Sequence, residues 1–245
     1  MHSVVITGVS RGIGAALFGQ LNSSGARILA LGRTFSPDQL AAQQADPSRI
    51  VLRTVDLGDP ASLPTTADLA AFTDGATAVT LIHNGAALAP VGAVGALDPT
   101  EILHAVTANL AAPMLLTNAL LGCDLRTQTA LSVDPVERDV TVLFISSLAA
   151  HTVVGGAAVY GATKRGGEYF FEVLAAQYAD DPRVRVVSVD PGAVDTAMQA
   201  QVRDYAAQGV YFPMRDMFVG LHQSGQLAPP AAVAARILAE HLPAR

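Results

Sequence analysis

The sequence contains one cysteine, one lysine and few charged residues of any kind. Because Cys123 is the only cysteine, no disulfide can form within the chain, which is typical of proteins from reducing compartments. The six histidines are scattered and form no cluster with cysteine, so the sequence gives no support for a metal site. Charged residues are 15% of the 245 positions and hydrophobic residues 51%, which excludes a disordered chain and provides enough apolar material for one large core.

Positive charge and uninterrupted apolar runs are also scarce. Lysine and arginine total 15 against 21 aspartates and glutamates, and the resulting net charge of −6 disfavours nucleic-acid binding. The uncharged stretch 140–163 has the length of a membrane span but contains serines, a histidine and paired glycines. The amino terminus has neither the positive region nor the cleavage site of a signal peptide. We therefore expect a soluble, cytoplasmic protein without nucleic-acid or membrane partners.

Short β-rich runs alternate along the chain with longer segments of helical spacing. The runs are apolar nearly throughout, as in strands buried on both faces of a sheet. They occupy residues 4–6, 28–31, 50–52, 79–82, 140–145 and 184–189, and the main helices are predicted at 13–24, 60–72, 99–121, 157–179 and 231–241. This order predicts a single α/β domain over residues 1–245, with a doubly wound parallel sheet, helices on both faces and ligands at the carboxyl ends of the strands.

Residues 195–225 depart from this alternation. The segment carries Met, Tyr and Phe residues without strand periodicity. We interpret it as a mobile apolar lid, from which Met198, Tyr205 and Phe212 are expected to line a substrate pocket. A pair of ordinary helices packed on the core is an equally good interpretation.

A glycine-rich loop joins the first strand to the first helix. Glycines let the backbone approach a phosphate closely, and the helix dipole favours the anion. The sequence Thr7-Gly8-Val9-Ser10-Arg11-Gly12-Ile13-Gly14 therefore predicts a site for a dinucleotide pyrophosphate, the alternative being a tight turn with no ligand. The contacts are expected from Gly8, Ser10, Arg11, Gly12, Ile13 and Gly14.

The end of the second strand indicates which dinucleotide binds. NAD-binding chains commonly place a carboxylate there, whereas this strand ends Leu31-Gly32-Arg33. Arg33 and Arg11 could pair with a 2′-phosphate, so NADP(H) is the predicted cofactor. Two solvated surface arginines are the alternative interpretation.

A tyrosine and the only lysine lie four residues apart on the helix after the fifth strand. This spacing places Tyr160 and Lys164 on one helix face. An ammonium stabilises a nearby phenolate, so the pair is suited to proton transfer by a tyrosine. An incidental helical pair is the alternative.

Ser147 lies thirteen residues before Tyr160, at the carboxyl end of the fifth strand. Its hydroxyl could donate to a substrate carbonyl oxygen while Tyr160 supplies the proton. Strand alternation predicts that the preceding Ser146 points to the opposite side, as a locally satisfied hydroxyl.

These motifs, with Asn109-Leu110 and Pro191-Gly192-x-x-x-Thr196, resemble those of the short-chain dehydrogenase/reductase family over nearly the whole chain. Residues 111–114 and 191–201 resemble the sepiapterin reductase-like and benzil reductase-like branch. The resemblance implies a Rossmann-type fold and a homo-oligomer, a dimer or tetramer, to which the apolar helices 99–121 and 157–179 could contribute.

Roles for single residues also follow from the resemblance. Tyr160 would be the acid/base and Ser147 would hold the carbonyl. Lys164 would bond the nicotinamide ribose and lower the tyrosine pKa. Asn109 would anchor a water in a proton relay, the alternative being a helix amide that is bonded locally. The further cofactor contacts implied are Asp56 and Leu57 at the adenine, Asn84 beside the adenosine ribose, and Pro191, Val194 and Thr196 at the nicotinamide.

Two departures from the family pattern matter. His83-Asn84-Gly85-Ala86 replaces the usual Asn-Asn-Ala-Gly, so alanine stands where a conformationally free glycine is expected. The chain also stops at Arg245 without the final strand of relatives. Sepiapterin reductases take their pterin-binding carboxylate from that segment, which makes sepiapterin a poor candidate substrate.

The sequence thus predicts NADP(H)-dependent reduction of a small carbonyl compound, such as an aromatic ketone or diketone, by a Ser-Tyr-Lys site. A 3-oxoacyl-[acyl carrier protein] reductase is the second hypothesis, although an acidic carrier would need basic docking residues, and Arg203 and Arg215 are the main candidates. A non-catalytic NADP(H)-sensing protein is the third, and it would have no need of the Ser-Tyr-Lys set.

Overall fold

The computed structural model describes residues 1–123, 138–207 and 209–242. Its strands are β1 (His2–Thr7), β2 (Arg27–Gly32), β3 (Ile50–Thr54), β4 (Ala78–His83), β5 (Asp139–Ile145) and β6 (Val184–Val189). They form one parallel sheet in the order β3-β2-β1-β4-β5-β6. The order reverses between β1 and β4, and the crevice at such a point is where open α/β sheets bind ligands.

Helices cover both faces of the sheet. They are α1 (Gly12–Ser23), α2 (Pro37–Ala45), α3 (Thr66–Thr73), α4 (Pro99–Val106), α5 (Ala112–Gly122), α6 (Ala158–Gln177), α7 (Ala197–Ala207), α8 (Arg215–Gln223) and α9 (Pro230–His241). Alternate residues of β1 enter different layers: Val4 and Ile6 pack with α1 and α9, whereas Val5 packs with α3, α5 and α6. The predicted Rossmann-type α/β fold is confirmed.

One predicted helix is divided. Residues 60–72 form a short 3-10 turn, Pro60–Ser62, followed by α3 from Thr66. Pro64 explains the break because a proline disfavours helical geometry in the residue before it, and Leu63 is extended. Thr65 then caps α3 through a reciprocal capping box with Asp68. The prediction of a single helix over 60–72 is therefore wrong.

Two further segments differ from the main expectations. Helix α2 is absent from the predicted helices. The capping box of Ser36 and Gln39 marks its start, but the helix has no buried apolar face because Gln39 is its only buried residue. Residues 195–225 contain α7 and α8, which agrees with the interpretation as a pair of helices, and the apolar lid stays a prediction.

A π-helical turn, Thr107–Ala111, joins α4 to α5 in a continuous helix from Pro99 to Gly122. Among the described residues, only this helix is long and apolar enough to span a membrane, and half of its most apolar 18-residue stretch is buried inside the protein. The wide turn lies just before Pro113, whose ring would clash with the Asn109 carbonyl in a regular α-helix. The π turn therefore lets the helix continue and carries Asn109 at its centre.

Two adjacent glycines of α6 offer a matched test of core packing. A β-carbon at Gly167 would lie 2.5 Å from the Phe144 ring, which is buried against Phe171 and cannot retreat. A β-carbon at Gly166 would make ordinary contacts with Leu110. We expect Gly167→Ala to lower the free energy of unfolding by about 1–3 kcal/mol. Gly166→Ala should raise it by up to about 1 kcal/mol through helix propensity.

Urea unfolding of both variants against the parent chain measures the two effects. A Gly167→Ala variant as stable as Gly166→Ala would contradict the close packing of Gly167 in α6 against the Phe144 ring of β5.

Candidate active site

The glycine-rich loop is built on the close approach of three backbone segments. Gly8 has φ +72° and its N–H donates to the Leu31 carbonyl at 2.9 Å. A β-carbon at Gly14 would collide with the Gly8 carbonyl oxygen, and one at Gly8 would lie 2.5 Å from Gly85 Cα. Side chains are therefore excluded at Gly8 and Gly14, and the loop presents backbone at the start of α1.

Polar side chains from three elements fix this loop. Asn84 Nδ2 donates to the carbonyls of Gly8 at 2.9 Å and Thr7 at 3.2 Å. Thr7 Oγ1 accepts from the N–H groups of Asn84 and Gly85 at 3.1 and 3.0 Å. The buried Gln39 amide donates to the Val9 carbonyl at 2.8 Å. Sequence reasoning missed Gln39 because its contact joins residues 30 positions apart.

The departure at Ala86 requires no unusual backbone. Among the described residues, only glycines have positive φ, so Ala86 adopts an ordinary conformation. The steric demand falls instead on Gly85, where a β-carbon would lie 2.6 Å from Leu57 Cδ1. Alanine is therefore compatible with this turn, and Leu57 packs directly against it.

The two arginines expected at a 2′-phosphate are both exposed. Arg33 follows β2, and Arg11 precedes α1 without capping it through its side chain. Neither guanidinium has a hydrogen bond or ion pair within the part of the chain that the structure describes. Ser10 is exposed beside them, and Asp56 makes a local turn by accepting from the Gly58 N–H at 2.9 Å.

The loop after β6 meets the glycine-rich loop from the other side. A β-carbon at Gly12 would lie 3.2 Å from Thr196 Cγ2, so the two loops are in contact. Val194 is buried and forms a bridge with Ala228, while Pro191 is half-buried. The fold thus brings residues 8–14 and 191–196 to one rim of the sheet.

The Ser147 side chain lies close enough to the Tyr160 hydroxyl to affect the pKa of that phenol. Ser147 follows β5 directly and begins a short 3-10 turn, where its Oγ accepts from the Ala149 N–H at 3.2 Å. Tyr160 is buried in the first turn of α6. Burial raises the pKa of this phenol, the nearby Ser147 side chain lowers it, and the charge of Asp190 raises it. The net direction is upward, opposite to the tuning that the lysine spacing suggested.

Lys164 lies one turn further along α6 and is 2% exposed. Its Nζ donates to the Ile145 carbonyl at 2.6 Å and lies 4.7 Å from the Phe144 ring centroid and 5.8 Å from that of Tyr160. Burial lowers the pKa of Lys164 to about 8, although the charge of Glu168 opposes this effect. The ammonium is thus held beside the phenol by a strand carbonyl.

Asn109 connects the π turn to the rest of the site. Its Oδ1 accepts from the Ala87 N–H at 2.7 Å, and its Nδ2 donates to the Ala87 carbonyl at 2.8 Å and to Thr163 Oγ1 at 3.1 Å. Thr163 in turn donates to the Tyr160 carbonyl at 2.8 Å. The amide side chain therefore ties the loop after β4 to α6, and the Asn109 carbonyl has no fourth-residue N–H donor because that position is Pro113.

Ser146 is a satisfied hydroxyl, as expected, because its buried Oγ donates to Glu168 Oε1 on α6 at 2.5 Å. Phe144, two residues earlier, also packs on the α6 side of the sheet, so Ser146 follows the alternation of β5. Sequence reasoning also missed Glu168, whose signal is its position one turn after Lys164.

The three expected substrate residues lie in one apolar cluster with Tyr160. Phe212 is buried in this cluster with Leu88, Ala157 and Val202, and Met198 and Tyr205 pack against it. Helices α7 and α8 therefore cover the reactive end of α6 with apolar side chains. Such a surface is suited to an uncharged ligand.

Comparisons with known proteins agree with this arrangement. A family model described as short chain dehydrogenase matches residues 2–207. The chain is 28% identical over 241 residues to a benzil reductase ((S)-benzoin forming) of Bacillus cereus, covering 97% of this chain and 92% of that protein. It is 34% identical over 215 residues to the sepiapterin reductase of Mus musculus, covering 82% and 77%.

A solved structure has the same fold. The crystal structure of an actinorhodin polyketide ketoreductase with NADPH matches with a TM-score of 0.75 and 23% identity, covering 97% of this chain and 89% of that one.

Proposed function

Because the chain belongs to the short chain dehydrogenase family, with benzil and sepiapterin reductases as relatives, we propose that it reduces a small apolar or aromatic ketone or diketone to an alcohol with NADP(H). The chain is an oxidoreductase of this family, as its motifs predicted. The observation that carries the proposal is the buried Lys164 ammonium 5.8 Å from the Tyr160 ring centroid, with Ser147 close to the phenol and apolar side chains covering the site.

The chain's own groups account for the proton chemistry. A bound NADPH supplies the hydride that the substrate carbon accepts. Ser147 donates a hydrogen bond to the carbonyl oxygen, and Tyr160 transfers its hydroxyl proton to that oxygen. The Lys164 ammonium stabilises the phenolate that remains and bonds the nicotinamide ribose. Asn109 anchors a water that returns a proton to the site, as the family resemblance implies.

The residues around the glycine-rich loop fit the cofactor. Its backbone suits a pyrophosphate, since side chains are excluded at Gly8 and Gly14 and the loop leads into the amino terminus of α1. Arg33 and Arg11 have no partner among the described residues and favour a 2′-phosphate over a free ribose. The NADPH of the ketoreductase of similar fold supports this choice. Asp56, Leu57 and Asn84 are assigned to the adenosine half, and Pro191, Val194 and Thr196 to the nicotinamide.

The apolar cluster of α7 and α8 supports an uncharged substrate. Met198, Tyr205 and Phe212 lie in one apolar cluster with Tyr160 and are proposed to bind the apolar groups of the substrate. The name of the Bacillus cereus relative, a benzil reductase, supports an aromatic diketone. We further propose that the protein is soluble and cytoplasmic and binds neither nucleic acid nor membrane.

We also propose that the chain forms a dimer or tetramer through α4 and α6. A shallow apolar depression of about 340 Å³ lies between these helices, lined by residues such as Ile102, Val106 and Val159. Leu103 beside it is 68% exposed. A second copy of the same surface would remove these side chains from water. Light scattering on the purified chain is expected to give a dimer or larger, and a monomer at micromolar concentration would refute the assembly.

The role of Tyr160 is tested with purified protein, NADPH or NADH, and a panel of carbonyl compounds. We expect NADPH oxidation with benzil-type diketones. Tyr160→Phe should abolish turnover and leave cofactor binding unchanged, because only the phenolic hydroxyl that transfers the proton is removed. Tyr169→Phe, an exposed position on the same helix, is the matched control and should keep full activity.

The rest of the panel separates the competing hypotheses. A preference for acetoacetyl thioesters over diketones, quinones and sepiapterin would favour a 3-oxoacyl reductase. Tight NADPH binding without reduction of any compound would favour a sensor, and turnover retained by Tyr160→Phe would exclude the proposed mechanism.

The cofactor assignment depends on Arg33. Replacing Arg33 by Ala should raise KM for NADPH about tenfold, which corresponds to the loss of a charge-assisted contact to the 2′-phosphate. KM for NADH should not change, since NADH has no phosphate there. Faster turnover of the parent chain with NADH than with NADPH would show that the assignment is wrong.

A further inference from the structure

Three residues of α6, spaced by four, hold three consecutive residues at the end of β5. The Tyr160 hydroxyl lies close to the Ser147 side chain, Lys164 Nζ donates to the Ile145 carbonyl, and Glu168 Oε1 accepts from Ser146 Oγ. The four-residue spacing places the three side chains on one face of the helix. The proposed mechanism uses the first two of these contacts and leaves the third without a role.

The carboxylate of Glu168 is buried, and its surroundings explain how burial is tolerated. The residue is 6% exposed. Its Oε2 lies 2.8 Å from His151 Nε2 and 3.6 Å from Arg165 Nη1, although no contact of this oxygen within the described chain has hydrogen-bond alignment. Half of the His151 side chain is exposed, so the group of side chains formed by Lys164, Glu168, Arg165 and His151 reaches the protein surface. A buried charge is costly unless it is paired, which indicates that this carboxylate has a purpose beyond filling space.

The charged groups around Lys164 indicate what the Glu168 carboxylate does. Burial disfavours the ammonium, and the negative charge of Glu168, one turn away, favours it. On the opposite side, His83 of β4 is buried and neutral, because burial and the charge of Lys164 lower its pKa to about 3. Asp190 after β6 acts on Tyr160. Arg165 and His151 lie on the far side of Glu168.

We propose that Glu168 is a positioning residue of the active site, which keeps Lys164 an ammonium and, through Ser146, fixes the strand end that carries Ser147. The proposal rests on the proposed function, because the ammonium matters for the reaction only if Tyr160 exchanges the proton. The effect of Glu168 on the Lys164 ammonium is present in the protein without substrate and can be measured there.

Lys164 can be observed directly because it is the only lysine of the chain. Protein grown with lysine ¹³C-labelled at Cε gives a single side-chain resonance, and its shift against pH gives the midpoint of the Lys164 titration. We expect Glu168→Gln to lower this midpoint by about one pH unit, since the variant removes the anion and keeps the side-chain shape. Glu172→Gln, one turn further and exposed, removes the same charge and should leave the midpoint unchanged.

Steady-state kinetics supply a second readout that a merely structural role would not produce. If the midpoint falls from about 8 to about 7, the ammonium fraction at pH 8 falls about fivefold, whereas at pH 6 it hardly changes. We therefore expect kcat of Glu168→Gln to fall about fivefold at pH 8 and to approach that of the parent chain at pH 6, with KM for the carbonyl substrate unchanged.

The outcomes separate the two proposals. A lowered midpoint in Glu168→Gln with parent-like kcat at pH 6 supports the assignment, and an unchanged midpoint in the folded variant overturns it. If the Gln variant does not fold, Glu168→Met removes the same charge with an apolar chain of similar length, and the same midpoint decides. A lowered midpoint in a chain whose parent reduces no carbonyl compound would refute the proposed function and leave the link between Glu168 and Lys164 intact.

Discussion

A buried ammonium is the constraint on which the candidate site depends. Lys164 has lost nearly all its contact with water, and such a cation persists only where polar groups replace the lost hydration. The Ile145 carbonyl and the Phe144 ring contact it directly, and the Glu168 carboxylate offsets its charge. All three lie at the junction of β5 and α6, so the fold must bring strand end and helix together before the lysine can be accommodated.

The same junction orients the two hydroxyl groups proposed for the chemistry. Ser146 and Ser147 follow β5 directly; Ser146 Oγ donates to Glu168 of α6, and the Ser147 side chain lies close to Tyr160 of the same helix. The Asn109 amide attaches the loop after β4 to this helix through Thr163. A rigid arrangement of this kind lowers the cost of orienting a substrate carbonyl, since the groups that bind it are already placed.

The cofactor side of the site follows a different principle, that of close backbone approach. Gly8, Gly14 and Gly85 are glycines because neighbouring backbone or side-chain atoms occupy the space of a β-carbon. The departure from the family pattern at Ala86 is harmless for the same reason, since the crowded position is Gly85 and the backbone at Ala86 is ordinary. Asn84 and Gln39 then hold the loop through its carbonyls at Gly8 and Val9.

The sequence by itself determined the order of the strands, the glycine-rich loop, and the placement of Tyr160 and Lys164 on one helix face. These features depend on spacing within one element or across one turn, and such spacing is visible in the chain. Only the tertiary structure decided the loop contact of Gln39 and the pair formed by Glu168 with Ser146. These two contacts join residues 30 and 22 positions apart, so they exist only once the sheet and its helices have packed.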